Sequence, residues 1–199
     1  MFVGKYPKQW EAQILNAVAK DGHSLKDPQL RGIGLAAVLA RVYDIILDEK
    51  FKDWYVPNRE QAGFRSGQGC PLPLFSIFLL LHYAAQNGRE LCVGFMDYEK
   101  AFDYANRAKI VVKLMERGCG RVFTEAITKM FHSTTYIPAS GGKLCEAITT
   151  SYGVAQGLNS SPNIYSFAVS DMGSCTDSLE RKDFIDPHNQ FGGRCCGIG

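Results

Sequence analysis

The order of apolar patterns along this sequence predicts an α+β fold, and three observations carry that prediction. Helical spacing dominates as far as Gln86. A short apolar run, Leu91–Met96, then follows Gly88 and breaks the period. Later, two segments rich in Thr, Tyr and Ile lie either side of a glycine turn, between helical stretches. Helices, a strand, two helices, a hairpin and a helix in that order suit an α+β arrangement better than a doubly wound sheet.

The first element is an amphipathic helix over Lys8–Lys20, with Trp10, Ile14, Leu15 and Val18 at helical spacing. Gly22–Pro28 is a polar connector. A second helix is predicted over Leu35–Lys52, with Val38, Leu39, Val42, Ile45 and Ile46 facing the core. Arg41, Asp44, Asp48 and Lys52 then form its solvated face. Trp54–Gly69 reads as a loop rich in Pro, Asn, Gly and Arg, and Leu72–Gln86 as a third helix closed by Asn87-Gly88.

Leu91–Met96 reads as a buried strand that delivers Asp97 to its exit. A carboxylate there is costly to desolvate unless a cation, a metal or a hydrogen-bond donor meets it. Asp97 is therefore either a metal ligand or the cap of the next turn. Asn106 opens a helix through Arg117 that Gly118 ends, and Val122–His132 forms another. Thr134–Pro138 and Leu144–Tyr152 form a β-hairpin around Ser140-Gly141-Gly142. Ser161–Met172 is the last helix. From Gly173 the periodicity stops, and residues 173–199 read as a poorly ordered tail.

Composition narrows the function classes. Apolar residues make up 46% and charged residues 21%, as in a globular protein, and the net charge of +2 gives no global basic surface. Basic groups for a polynucleotide would have to be local. The seven cysteines are scattered without a C-x-x-C pair, which argues against a disulfide framework or a zinc site and for an intracellular, reducing compartment. The N-terminus lacks the apolar core of a signal peptide, and the run Leu72–Leu81 is about half of the roughly 20 residues a spanning helix needs, so no membrane partner is expected. His23, His82, His132 and His188 have no metal-ligand spacing, and no phosphate-cradling glycine motif opens a helix after a strand.

Three segments remain: Gln61–Arg65, which presents an arginine between glycines; Phe95–Asp103; and Gly153–Gly157, followed by Ser161-Pro162. Together they resemble the reverse transcriptase domain of non-LTR (LINE-type) retrotransposons. Arg31-Gly32-Ile33-Gly34-Leu35 resembles that family's R-G/P-I-x-L segment, and Glu60–Gly67 its E-Q-A-G-F-R-x-G segment. Met96–Asp103 resembles the polymerase A motif, and Gly153–Pro162 the B motif G-V-x-Q-G-x-x-x-S-P. The matches are collinear and span about residues 20–172.

The resemblance implies a partial right-hand polymerase, fingers plus the first half of a palm. Residues 1–90 would be fingers-like and residues 91–172 palm-like, with residues 118–152 packing back toward the fingers. The implied reaction is addition of dNTPs to a DNA primer 3′ end on an RNA template by two-metal catalysis with Mg2+. By the same resemblance Asp97 is the catalytic, metal-binding aspartate and the Tyr98 carbonyl a second ligand. Phe102 packs against the incoming sugar and disfavours a 2′-hydroxyl. Arg65 reaches the triphosphate, with Arg31 a weaker second candidate, and Gln156 and Gly157 lie beside the nascent base pair. Asp103 caps the turn into the following helix.

The sequence also departs from the family pattern. Ala155 stands where Pro or a basic residue is usual, Asn159 and Ser160 are unusually polar, and Gly34 loosens the start of the fingers helix. Nothing after Pro162 resembles the C motif x-A-D-D, which carries the family's remaining catalytic carboxylates. The expectation is therefore a truncated fragment, inactive alone. The alternatives are a non-catalytic nucleic-acid-binding remnant and a non-functional relic of a retroelement.

Overall fold

A computed structural model describes residues 6–19, 30–140 and 142–172 of the chain. The connector at Gly22–Pro28, Gly141 of the hairpin turn and the segment 173–199 lie outside the described residues.

A five-stranded sheet organises one side of the molecule. After the short helix α1 (Lys8–Glu11), strand β1 (Ala12–Ala19) runs antiparallel to β2 (Leu30–Ala36), with Leu15 opposite Gly34 and Val18 opposite Arg31. On its other edge β1 pairs in parallel with β3 (Thr135–Ser140), Gln13 lying opposite Tyr136. Two short strands, β4 (Lys143–Leu144) and β5 (Ile148–Thr149), pair antiparallel with β3 and form the expected hairpin.

The helix expected over Lys8–Lys20 is therefore mostly a strand. Ile14 and Val18 are four residues apart, a spacing that falls on one face of a helix and equally on one face of a strand. Pairing on both edges decides between them, since each edge supplies a ladder that an isolated helix turn lacks. The glycines of β2 make that pairing close. A Cβ at Gly32 would sit 3.0 Å from Leu15 Cδ1, and one at Gly34 would sit 2.7 Å from Gln13 Oε1. Gly34 lies inside this strand, so it does not loosen a helix start.

Helix α2 (Val38–Trp54) begins later than expected and turns the other way. Its buried face is Ala40, Asp44, Leu47, Asp48 and Phe51, while Val38, Leu39, Val42, Ile45 and Ile46 are exposed. The two acids are buried because they hold the start of α6 (Ser160–Ala168). Asp44 accepts from the Asn159 N–H at 2.6 Å, from the Ser160 N–H at 3.3 Å and from the Ser160 hydroxyl. Asp48 accepts from Asn163 Nδ2 at 2.7 Å and pairs with Lys52 Nζ at 2.6 Å. Asn159 offers α6 no side-chain cap of its own, so the first-turn N–H groups are satisfied from α2.

Helix α3 (Pro71–Gln86) matches its expected span and ends at Gly88, whose φ is 60°. Only Ala84 of its residues is buried. The stretch after it, Leu91–Met96, is not a strand. Leu91, Val93, Phe95 and Met96 are all exposed, Phe95 at 84%. The apolar run has strand propensity, but none of the described strands lies beside it to complete a ladder.

Helix α4 (Arg107–Glu116) is capped as expected, the Asn106 side chain accepting from the Lys109 N–H at 3.0 Å. Helix α5 (Arg121–Ser133) follows. The core joins Leu47 and Phe51 of α2, Ile110 and Leu114 of α4, Ile127 and Met130 of α5, Val154 and Leu158, and Ile164 and Phe167 of α6. Phe51 stacks on Phe123 (5.8 Å, 16°) and meets Phe167 edge-on (5.8 Å, 88°). A side chain of this kind contributes about 1.5–3 kcal/mol where it is fully buried, as Phe51 and Phe167 are. Among the described residues no helix is long and apolar enough to cross a membrane.

Candidate nucleotide site

Phe102, Gln156 and Gly157, three of the site residues named from sequence, lie at the junction of two backbone segments, Phe102–Asn106 and Gly153–Gly157. The Gly153 N–H donates to the Ala105 carbonyl (2.7 Å) and the Val154 N–H to the Phe102 carbonyl (2.9 Å). Gly153 has φ 87°, and a Cβ there would lie 2.9 Å from the Asp103 carbonyl oxygen, so only glycine lets the segments approach this closely. On the far side the Gly34 N–H, on an edge of the sheet, donates to the Gln156 carbonyl (2.7 Å). Gly157 has φ 128°, and a Cβ there would lie 2.5 Å from the Gly34 carbonyl oxygen. Glycines thus clamp the turn between the sheet and the end of the A motif.

Arg107 braces the turn from beneath. It is 7% exposed, and its Nε donates to the Gly153 carbonyl at 2.7 Å. Its Nη1 donates to the carbonyls of Phe131 (2.7 Å) and Thr150 (2.6 Å), and its guanidinium lies 5.5 Å from the Phe131 ring centroid. Burial pulls its pKa down, while the neighbouring Tyr136 opposes that, and burial pushes the Tyr136 phenol up. One side chain thereby joins α4, α5, β3, the approach to the turn and the turn itself. Its place in the first turn of α4 is a sequence signal, since a cation there opposes the helix dipole and needs a reason to be present.

The ring of Phe102 is where the three sequence segments meet. Tyr165 of α6 stacks on it at 4.9 Å and 19°, and Phe64 meets it edge-on at 6.0 Å and 87°. Tyr165 is placed by a helix held at both ends. Asp44 serves its N-terminus, while Lys113 Nζ donates to the carbonyls of Phe167 (2.8 Å) and Ala168 (3.1 Å) and pairs with Asp171 (2.7 Å). An anion at the start and a cation at the end both complement the helix dipole. Neither Tyr165 nor Phe64 was singled out from sequence, because ring contacts across three segments have no linear signature.

Phe64 has φ 58°, an uncommon conformation for a bulky residue, and it immediately precedes Arg65. Arg65 is partly exposed, its Nη1 donating to the Asn58 carbonyl at 3.4 Å, while Asn58 Nδ2 donates to the Ser170 carbonyl at 3.3 Å. The arginine loop is thus moored beside Phe102 at one point and beyond α6 at another. Arg31 lies on the exposed face of β2, three positions from Gly34.

Asp97 and Tyr98 are exposed. The Tyr98 hydroxyl lies 3.4 Å from Met172 Sδ, and Asp97 makes no hydrogen bond or ion pair among the described residues. Lys100, at φ 49°, turns the chain after them, its carbonyl accepting from the N–H groups of Asp103 (2.8 Å) and Tyr104 (3.1 Å). Asp103 does not cap the following helix, a role Asn106 takes; Asp103 Oδ1 instead accepts from Gln156 Nε2 at 3.0 Å. The structure brings Phe102, Gln156, Gly157 and the Arg65 loop into one neighbourhood, and leaves Asp97 on an uncovered stretch beside it.

A free carboxylate with an adjacent backbone carbonyl suits one hard cation, whose other positions waters or phosphate oxygens could fill. Among the described residues no group of three or more acids, histidines or cysteines gathers as a metal cage.

Comparison with known proteins bears on the family of the chain. Residues 19–179 match the family model described as reverse transcriptase (RNA-dependent DNA polymerase). The chain is also 22% identical over 156 residues to a retrovirus-related Pol polyprotein from type-1 retrotransposable element R2 of Bradysia coprophila. That match covers 78% of this chain and 18% of the relative. The family works with divalent metal ions. The chain belongs to the reverse transcriptase (RNA-dependent DNA polymerase) family.

Proposed function

We propose that this chain forms the nucleotide-facing part of an RNA-directed DNA polymerase that adds dNTPs to a DNA primer on an RNA template. Residues 1–90 act as fingers and residues 91–172 as the first half of a palm, with 118–152 returning to the fingers. The parallel pairing of β3 with β1 supports that return.

The observation that carries the reading is the Phe102 ring, which lies between Phe64 of the arginine loop and Tyr165 beyond the B-motif turn. A ring fixed on two sides can exclude a 2′-hydroxyl from a sugar packed on it, which favours dNTPs. The partly exposed Arg65 guanidinium can grip triphosphate oxygens in pairs, with Arg31 further along the sheet edge adding charge. Gln156 and Gly157 line the place of the nascent base pair. The Asp97 carboxylate and the Tyr98 carbonyl would hold one Mg2+, which supplies charge stabilisation at the reacting phosphate.

The chain by itself is not expected to polymerise, because two-metal catalysis needs carboxylates gathered beside Asp97 and, among the described residues, no group of three or more acids, histidines or cysteines gathers. Primer extension on an RNA template by the purified chain, abolished by Asp97→Asn, would overturn that expectation. Loss of fluorescent dNTP binding on Arg65→Ala would support the nucleotide site, and unchanged binding would remove it.

The exposed Arg31 and the partly exposed Arg65 also suit a second reading, a non-catalytic binder of RNA–DNA duplex. Binding of a duplex that weakens steeply with salt, without extension, distinguishes it. The free thiols of Cys70, Cys92, Cys119 and Cys145 suit an intracellular, reducing compartment for either reading.

A further inference from the structure

The contact between Asp103 and Gln156 settles a question of orientation. A glutamine amide is nearly symmetric in shape and carries a donor at one end and an acceptor at the other. An ionised carboxylate only accepts, so a terminal amide atom 3.0 Å from Asp103 Oδ1 has to be the nitrogen. The carboxylate thereby chooses for Gln156, leaving Oε1 and the second N–H unclaimed at a partly exposed position.

Both ends of this bond are anchored by backbone. The Asp103 N–H is tied to the Lys100 carbonyl (2.8 Å), and the Asp103 main chain abuts Gly153, where a Cβ would clash at 2.9 Å. The Gln156 carbonyl accepts from Gly34 on the sheet (2.7 Å), and Gly157 presses against the Gly34 carbonyl. Neither side chain can swing away by moving its backbone, so the amide is oriented before any ligand arrives.

We infer that Asp103 is a positioning residue, which fixes the Gln156 amide with its oxygen free to accept from a hydroxyl or amino group of the bound nucleotide. This rests on the reading of the chain as a nucleotide site, and it gives a task to the acid at the end of the A-motif segment.

The test uses the full 199-residue chain. The Gln156 side-chain amide signals, identified by their loss in Gln156→Met, are followed by heteronuclear NMR. They should be displaced from the free-glutamine position in the wild type and return toward it in Asp103→Asn, where an amide can pair either way round. Asp103→Glu should keep part of the displacement. The thermal midpoint should stay within about 3 °C, since the contact is at the surface.

Binding of dTTP with Mg2+ should weaken about tenfold in Asp103→Asn and in Gln156→Met, and no further in the double variant. Wild-type amide signals at the free-glutamine position would overturn the contact. Undiminished dTTP binding in Asp103→Asn beside a loss in Gln156→Met would overturn the positioning role. Intact amide signals in a wild-type chain that binds no dTTP would overturn the nucleotide reading and, with it, the role that rests on it.

Discussion

In α5 the apolar residues Ala126, Ile127, Met130 and Phe131 are buried, whereas in α3 Phe75, Phe78, Leu79 and Leu81 all stand exposed. α5 is amphipathic and α3 apolar over most of its surface, and what separates their apolar residues is company. α5 packs against α4 and shares a core with α2, α6 and the B-motif turn. α3 buries only Ala84, and most of its large apolar side chains stay exposed, as do Leu91, Val93, Phe95 and Met96 of the stretch that follows. Apolar side chains stabilise a fold only where water is displaced from them. The chemistry is divided along the same line. Phe102 and Gln156 are held from several elements, while Asp97 stands on the uncovered stretch.

The strongest way to break this contrast is to truncate one aromatic ring on each side. Phe51→Ala removes a ring 1% exposed that touches Trp54, Tyr55, Phe123 and Phe167, and should cost about 3–5 kcal/mol. Phe78→Ala, on the bare helix, should stay within about 0.5 kcal/mol. Urea unfolding of both variants measures it, and similar losses would mean that α3 is covered after all.

A smaller effect sharpens the account of the packed half. Asp44→Ala would strand the Asn159 and Ser160 N–H groups at the start of α6, for about 1–3 kcal/mol. Burial raises the Asp44 pKa, and its hydrogen bonds to Ser160 and Asn159 only partly oppose this. The folded state therefore holds its proton to higher pH than the unfolded state. The stabilisation this group gives is fully present below about pH 4 and is lost as pH rises through the folded value. Stability measured upward from pH 4 should carry that falling component in the wild type and lose it in Asp44→Asn.

The smallest effect has the opposite sign. Hydrogen bonding from Lys113, then Arg117, holds the half-exposed Asp171 below the usual carboxylate range. Its contribution is present above about pH 4 and lost as pH falls through the lowered value. Asp171→Asn should remove a shallow acid limb from the same pH series, and an unchanged limb would show that this clasp adds nothing.

Much of the helical structure was legible because its signals are local. Asn106 caps α4, Gly88 and Gly118 close helices with positive φ, and Ala139-Ser140 pairs with Lys143-Leu144 as the hairpin signal predicts. The elements that were misread depend on partners distant in sequence. β1 is a strand because β2 and β3 flank it, and Leu91–Met96 has no such neighbours among the described residues. α2 turns its acids inward because they serve the start of α6, some 115 residues away, an exchange that no periodicity in α2 reveals.

The same division runs through the site. By itself the sequence determined the family and named the candidate site residues, because an arginine between glycines, an aspartate and a glutamine before glycine follow one another along the chain. Only the tertiary structure decided that Phe102 is gripped by Phe64 and Tyr165, that Arg107 braces the turn, and that Asp103 faces Gln156 rather than a helix end. The order of residues is written in covalent bonds. Which donor meets which acceptor is settled only when backbone, close glycines and buried rings leave one arrangement that satisfies them together.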